Sequence, residues 1–122
     1  MKQVLLVFIG GGVGSALRYL VGKFLKMPAS GFPWSTFSVN VLGSLIIGIL
    51  MGVTLKNSAL SENQTLLLIT GLCGGFTTFS AFSMDLFTLM EKRDIAAMAL
   101  YLGGSLLGGL AAFIIGFMAL RA

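Results

Sequence analysis

Apolar residues fill four long stretches of the chain, roughly Val4–Leu25, Trp34–Leu55, Thr65–Met90 and Ile95–Leu120. Short polar connections separate them: Lys26–Pro33, Lys56–Gln64 and Glu91–Asp94. A helix needs about 20 mostly apolar residues to cross a hydrocarbon core. Each stretch therefore predicts one transmembrane helix, and the pattern predicts an all-α membrane protein with a single four-helix domain over residues 1–122. Pro28, Gly31 and Pro33 mark the first connection as a turn, and Trp34 sits where an aromatic anchor meets the headgroups. Met1-Lys2-Gln3 ahead of an apolar run imitates a signal peptide. The run continues through glycine-rich sequence into Arg18 with no Ala-x-Ala site, so a retained first helix is expected.

Inside the spans, small residues recur every four positions: Gly10/Gly14, Ser44/Gly48/Gly52, Gly71/Gly75 and Gly104/Gly108/Ala112/Gly116. That spacing puts them on one helix face, where two backbones can approach closely. Polar residues at membrane depth are costly unless they face a partner or water. Thr36, Asn40 and Ser44 form one polar stripe on span 2; the Asn40 amide either bonds a neighbouring helix or donates to a permeating anion. On span 3, Gly71, Gly74 and Gly75 each weaken a helix by about 1 kcal/mol relative to Ala, and Thr77, Thr78, Ser80 and Ser83 follow with hydroxyls that can satisfy freed backbone groups. Two readings are open. The third helix is broken near the bilayer midplane, with carbonyls free for a hard monovalent cation, or it is continuous, with Ser and Thr bonding back to their own turn. Phe79 and Phe82 share a helix face beside this stretch, where they either pack or turn positive ring edges to an anion. Tyr101 and Ser105 form an i, i+4 polar pair on span 4. Arg18 either snorkels to the interface or gives a vestibule positive potential. Asp85, the only acid well within a span, pairs with Arg18 or a lysine, or sits at a vestibule mouth.

Composition reinforces the membrane reading and removes most enzymes. The 122 residues are 57% hydrophobic and 10% charged, with mean hydropathy +1.00; soluble domains carry about 25% charged residues. His is absent, Cys73 is alone, and Glu62, Asp85, Glu91 and Asp94 are the only acids. Ser-His-Asp and Cys-His catalysis are excluded and a zinc or two-metal site is implausible. The net charge of +4 comes from basic residues scattered singly between apolar runs, which suits interfacial anchors rather than nucleic acid. Four helices this short leave little interior, so an oligomer is expected. An even number of spans puts Lys2, Lys56 and Arg121 on one side, and Lys23, Lys26, Lys92 and Arg93, with Arg18 if it snorkels, on the other. This near balance barely selects an orientation. A chain that inserts both ways can pair with an inverted copy, so an antiparallel, dual-topology homodimer is expected.

The run Gly71-Leu72-Cys73-Gly74-Gly75-Phe76-Thr77-Thr78-Phe79-Ser80-Ala81-Phe82-Ser83 resembles the third-span signature of the CrcB/Fluc fluoride channels. Gly10–Tyr19 and Ser35–Gly43 resemble two further stretches of that family, so the likeness covers essentially the whole chain. It implies a dual-topology dimer with two antiparallel fluoride pores and a structural Na+ at its centre, held by the backbone carbonyls of Gly74 and Thr77. It also implies pore roles for Asn40, Phe79, Phe82, Ser80, Tyr101 and Ser105, and a vestibule role for Arg18. Ala81, Asp85 and Gly109 depart from the family pattern, standing where relatives often carry Thr, Glu and a hydroxyl residue.

The expected function is a passive fluoride-selective channel, not an enzyme, that exports cytoplasmic fluoride across a prokaryotic inner membrane. Two rivals are open at this point. A proton-coupled exporter of the small multidrug type needs an embedded carboxylate, for which only Asp85 is available. A non-conducting scaffold explains the glycines but not why polar groups gather at one depth.

Overall fold

The computed structural model describes residues 1–25, 31–57 and 60–121. Residues 26–30 of the first connection, with Lys26 and Pro28, residues 58–59 of the second, residue 122, and the side chains of Asn57, Leu120 and Arg121 lie outside the described residues. Helix α1 spans Lys2–Phe24 and α2 spans Trp34–Asn57. The third span starts as α3 (Glu62–Thr65), widens into a π-helical stretch (Leu66–Cys73), returns to α4 (Gly74–Phe76) and resumes as α5 (Phe79–Glu91); α6 covers Ile95–Arg121. There is no strand among the described residues. Four segments are long and apolar enough to cross a membrane: Lys2–Phe24, Trp34–Lys56, Glu62–Glu91 and Ile95–Ala119. They coincide with the four predicted spans to within a few residues at each end.

Local chemistry fixes the ends of these elements. Ser61 opens α3 with a capping box: its hydroxyl accepts the Gln64 N–H (3.1 Å), and the Gln64 side chain accepts the Ser61 N–H (2.9 Å). At the other end of the span, Arg93 takes a left-handed conformation (φ 56°). Its N–H bonds the Met90 carbonyl and the Asp94 N–H bonds that of Leu89, which satisfies two orphan carbonyls of α5. The Asp94 carboxylate then caps α6 through the Ala97 N–H (3.1 Å). The hairpin from α5 to α6 is thus closed by hydrogen bonds on both sides.

The glycine repeats set the packing. A Cβ on Gly10 would meet the Leu67 carbonyl and the Leu72 nitrogen, and one on Gly14 would meet the Leu72 carbonyl and lie 2.7 Å from the Phe76 nitrogen. Gly75 lies as tightly against Gly11. Helix α1 therefore packs backbone to backbone on the π-helical stretch and α4. Gly48 and Gly52 lie against the backbone of Phe113 and Phe117, and Gly116 against Leu45 and Ile49, which docks α2 along α6. Not every glycine serves this purpose: around Gly12 and Gly103 no atom lies within 4 Å of the added carbon.

The buried apolar residues are few, with Val39, Cys73, Phe76, Phe82, Leu89 and Tyr101 at the centre. Large side chains such as Phe8, Phe24 and Leu107 stand exposed, as suits helices whose solvent is lipid. The π-helical winding was not foreseen from periodicity. Such turns are rare and often neighbour functional sites, and this one leads directly into the residues described next.

Gly14→Ala should lower the stability of the protein by about 1–3 kcal/mol, because backbone atoms cannot move aside for the new carbon. Gly12→Ala should be neutral or stabilising by up to about 1 kcal/mol. Thermal unfolding in detergent checks the contrast, and equal losses would contradict it.

Candidate functional site

Between α4 and α5 the backbone leaves the helical region: Thr77 is extended (φ −83°, ψ 155°), and so is Thr78 (φ −151°, ψ 121°). Two extended residues strip a helix of several i→i−4 bonds, and in a membrane those groups must find partners inside the protein. Most of the replacements come from side chains. Asn40 on α2 makes a two-point bond with Thr78: its amide donates to the Thr78 carbonyl (3.1 Å) and its oxygen accepts the Thr78 N–H (2.8 Å). The Thr78 hydroxyl caps α5 by accepting the Ala81 N–H (3.0 Å) and lies 3.1 Å from the Ser80 hydroxyl. The Thr77 N–H and hydroxyl both donate to the Cys73 carbonyl at 2.9 Å. From α1, the Arg18 Nε donates to the Gly75 carbonyl (3.1 Å).

These bonds leave specific carbonyls behind. In an uninterrupted helix the Thr78 N–H would bond the carbonyl of Gly74, and the Ala81 N–H that of Thr77. Here Asn40 and the Thr78 hydroxyl take those two N–H groups. Gly74 is also exposed.

Two cavities meet at Thr78. One, of about 390 Å³, is lined by Arg18, Tyr19, Lys23, Ser35 and Thr36 among others, with Thr78 and Ala81 at its inner wall. Among the described residues it carries two basic side chains, Arg18 and Lys23, and no acid. The second, of about 290 Å³, is lined by Asn40, Ser44, Thr77, Thr78, Phe79, Phe82 and Ser105, with Ile47 and Leu106 completing its wall. The Phe79 and Phe82 ring centroids are 6.0 Å apart and tilted by 41°. Phe82 is buried, whereas Phe79 is 79% exposed. The Ser105 hydroxyl is buried in this cavity without a hydrogen-bond partner.

The sequence-predicted residues thus fall into three groups. Asn40, Phe79, Phe82 and Ser105 are brought together around one cavity, and Arg18 lines the other. Ser80 is exposed beside the Thr78 hydroxyl. Tyr101 is fully buried and lines neither cavity: its hydroxyl donates to the Asp85 carboxylate (2.9 Å) with Thr36 beside it, and its ring packs on Phe82 at 4.9 Å. Asp85 is therefore partnered by Tyr101 rather than by Arg18, whose guanidinium holds a carbonyl instead. Thr78 itself is the residue that sequence reasoning undervalued. Its pairing with Asn40 was open in the sequence only as the general expectation that a buried amide bonds a neighbouring helix.

Residues 5–117 match the family described as CrcB-like protein, Camphor Resistance (CrcB). The chain is 44% identical to the fluoride-specific ion channel FluC of Azobacteroides pseudotrichonymphae, over 97% of this chain and 95% of that protein. It is 48% identical to the fluoride-specific ion channel FluC of Chlorobaculum tepidum, over 91% and 88% respectively. A FluC from Rhizobium johnstonii is 44% identical over 100% of this chain and 98% of its own length. The chain belongs to the CrcB-like family, a group of multi-pass membrane proteins whose relatives named here are ion channels and not enzymes.

Asn40→Leu would leave the Thr78 N–H and carbonyl without their side-chain partner, a cost of about 1–3 kcal/mol for each group. Thr78→Val would remove the cap of α5, a loss of about 1 kcal/mol that Thr78→Ser should avoid. Unfolding midpoints in detergent should rank wild type and Thr78→Ser above Thr78→Val, with Asn40→Leu lowest.

Proposed function

We propose that the protein is a passive fluoride-selective channel that lets cytoplasmic fluoride leave across a prokaryotic inner membrane. The observation that carries this reading is the position of the Asn40–Thr78 pair. It stands between a basic cavity, which attracts anions, and a cavity lined by the Phe79 and Phe82 rings, an amide and hydroxyls. No carboxylate lines either cavity among the described residues. The full-length similarity to fluoride-specific channels supports the same ion.

The chemistry suits fluoride. This anion is small and holds water strongly, so a pore must replace its hydration shell with closely spaced donors. Neutral donors do so without the tight binding that would stop release. Arg18 and Lys23 raise the local anion concentration at the entrance. The second amide hydrogen of Asn40, the edges of Phe79 and Phe82, and the hydroxyl of Ser105 then take over the ion. Ser80 and Tyr101 border this path; Tyr101 acts by backing Phe82 and by holding Asp85 away from it. Asp85 accepts the Tyr101 hydroxyl and lines neither cavity, which speaks against a proton-coupled exporter, since that mechanism needs a carboxylate on the transport route. The flux needs no coupling: HF crosses lipid, dissociates inside, and the trapped anion requires only an exit.

The working unit in this proposal is an antiparallel homodimer with two pores. Thr70, Gly74, Phe79, Ser80 and Ser83 are exposed on one protomer, and polar groups facing lipid at membrane depth are costly. An inverted copy laid against this face would cover them. The near-even split of basic residues between the two sides permits both orientations. The third span is then a discontinuous helix whose break lies near the bilayer midplane, at the dimer centre. The carbonyls of Gly74 and Thr77, deprived of their usual N–H partners, are hard oxygen donors of the kind that suits Na+. A structural Na+ held by both copies would supply positive charge to these carbonyls and offset the cost of the unwound backbone.

Purified protein in liposomes should release fluoride and retain chloride. Phe79→Ile or Phe82→Ile should lower the fluoride flux by about three- to tenfold, the effect of losing up to about 1.5 kcal/mol of ring-edge interaction. Comparable chloride release would overturn the reading.

A further inference from the structure

The aromatic cavity has a second hydroxyl residue besides Ser105 that stands close to α6. Ser44 lies one turn beyond Asn40 on α2 and lines the same cavity, facing α6. Hydroxyls on membrane helices usually bond back to the preceding turn, as the Thr54 hydroxyl does to the Leu50 carbonyl (2.7 Å) and that of Thr88 to Met84 (3.0 Å). Ser44 makes no such bond among the described residues. The Ser105 hydroxyl, on the opposite wall, has no partner either. The buried Ser105 hydroxyl is costly unless something in the cavity accepts its hydrogen bond, and the half-buried Ser44 hydroxyl is free to join it.

The wall opposite Ser44 sharpens the point. Around Gly109 on α6 the one atom within 4 Å of an added Cβ is the Ser44 Oγ, at 3.6 Å. The glycine leaves room beside that hydroxyl, and a side chain at this position would reach into the same space. A hydroxyl delivered from α2 thus occupies the place that a hydroxyl on α6 at residue 109 could serve.

We infer that Ser44 is a fluoride-binding, selectivity-determining residue: with Ser105 it forms a pair of hydroxyl donors one turn past Asn40, and it supplies from α2 the donor that Gly109 does not supply from α6. The inference rests on the channel reading above. A neutral O–H pair replaces part of the hydration shell as the ion moves on from the Asn40 amide, and both hydroxyls can rotate with it because neither is committed to a protein acceptor. Chloride, being larger and more weakly hydrated, gains less from two hydroxyl donors.

The test is fluoride efflux from liposomes, with chloride efflux measured in parallel. Ser44→Ala should lower fluoride flux about tenfold, the effect of losing one hydrogen bond to an ion. Ser44→Thr should keep most of the flux. The double variant Ser44→Ala/Gly109→Ser should recover it, since a hydroxyl returns from the opposite wall. A structural role for Ser44 would show instead as a lowered unfolding midpoint in Ser44→Ala with no rescue by Gly109→Ser, and that result would overturn the inference. Wild-type flux in Ser44→Ala would also overturn it. Absence of fluoride flux in the wild type would instead defeat the channel reading, so the two failures are distinguishable.

Discussion

A backbone cannot leave its helix inside a membrane without finding new partners for every polar group it frees, since hydrocarbon offers none. At Thr77 and Thr78 this constraint organises the neighbouring chain. Asn40 answers it with both ends of its amide, Thr78 with its own hydroxyl, Thr77 with a bond back to Cys73, and Arg18 with a bond to the Gly75 carbonyl. The first and last of these tie the third span to α2 and α1, so the irregular backbone also sets the relative position of three helices. The donors and acceptors at this point are used in pairs, and what is left over has a direction. The Ser105 hydroxyl faces one cavity without a partner, while the carbonyls of Gly74 and Thr77 have lost the N–H groups that a continuous helix would give them.

Close backbone packing is what brings these partners within reach. Gly10, Gly14 and Gly75 let α1 approach the third span closely enough for Arg18 to meet Gly75, and Gly48, Gly52 and Gly116 seat α2 along α6. With α2 so placed, Asn40 and Ser44 face Ser105 across one cavity. Tyr101 plays a similar part: packed on Phe82 and donating to Asp85, it fixes a ring and gives that carboxylate a partner. The Asp85 carboxylate is thereby held at 2.9 Å by a phenol and lines neither cavity.

Much of this was legible in the sequence. Four spans could be read from the apolar runs, and the four-residue spacing of Gly10/Gly14 and Gly48/Gly52 pointed to the faces that pack. Gly74 to Ser80 stood out because glycines and hydroxyls are poor choices for a lipid-facing helix, and the two extended residues lie inside that stretch. Asn40, Phe79, Phe82 and Ser105 could be picked out by residue type and depth. What the sequence withheld were pairings between distant residues. Nothing local says that Asn40 meets Thr78, that Arg18 meets a carbonyl rather than Asp85, or that Tyr101 meets Asp85, because each depends on how two helices lie against each other. The π-helical winding of Leu66–Cys73 was hidden for a different reason: a run with Thr70 as its one polar side chain carries too little periodicity to betray the turn width.

The central claim is that the Asn40–Thr78 pair is both the tie that holds the extended backbone and the donor that passes an anion between the two cavities. Asn40→Asp separates these roles, because a carboxylate can still accept the Thr78 N–H but places negative charge in the path. The direct measurement is fluoride efflux from liposomes containing Asn40→Asp protein that elutes as the wild type does. Efflux reduced to the leak of protein-free liposomes is the predicted result; efflux at the wild-type rate would contradict the account.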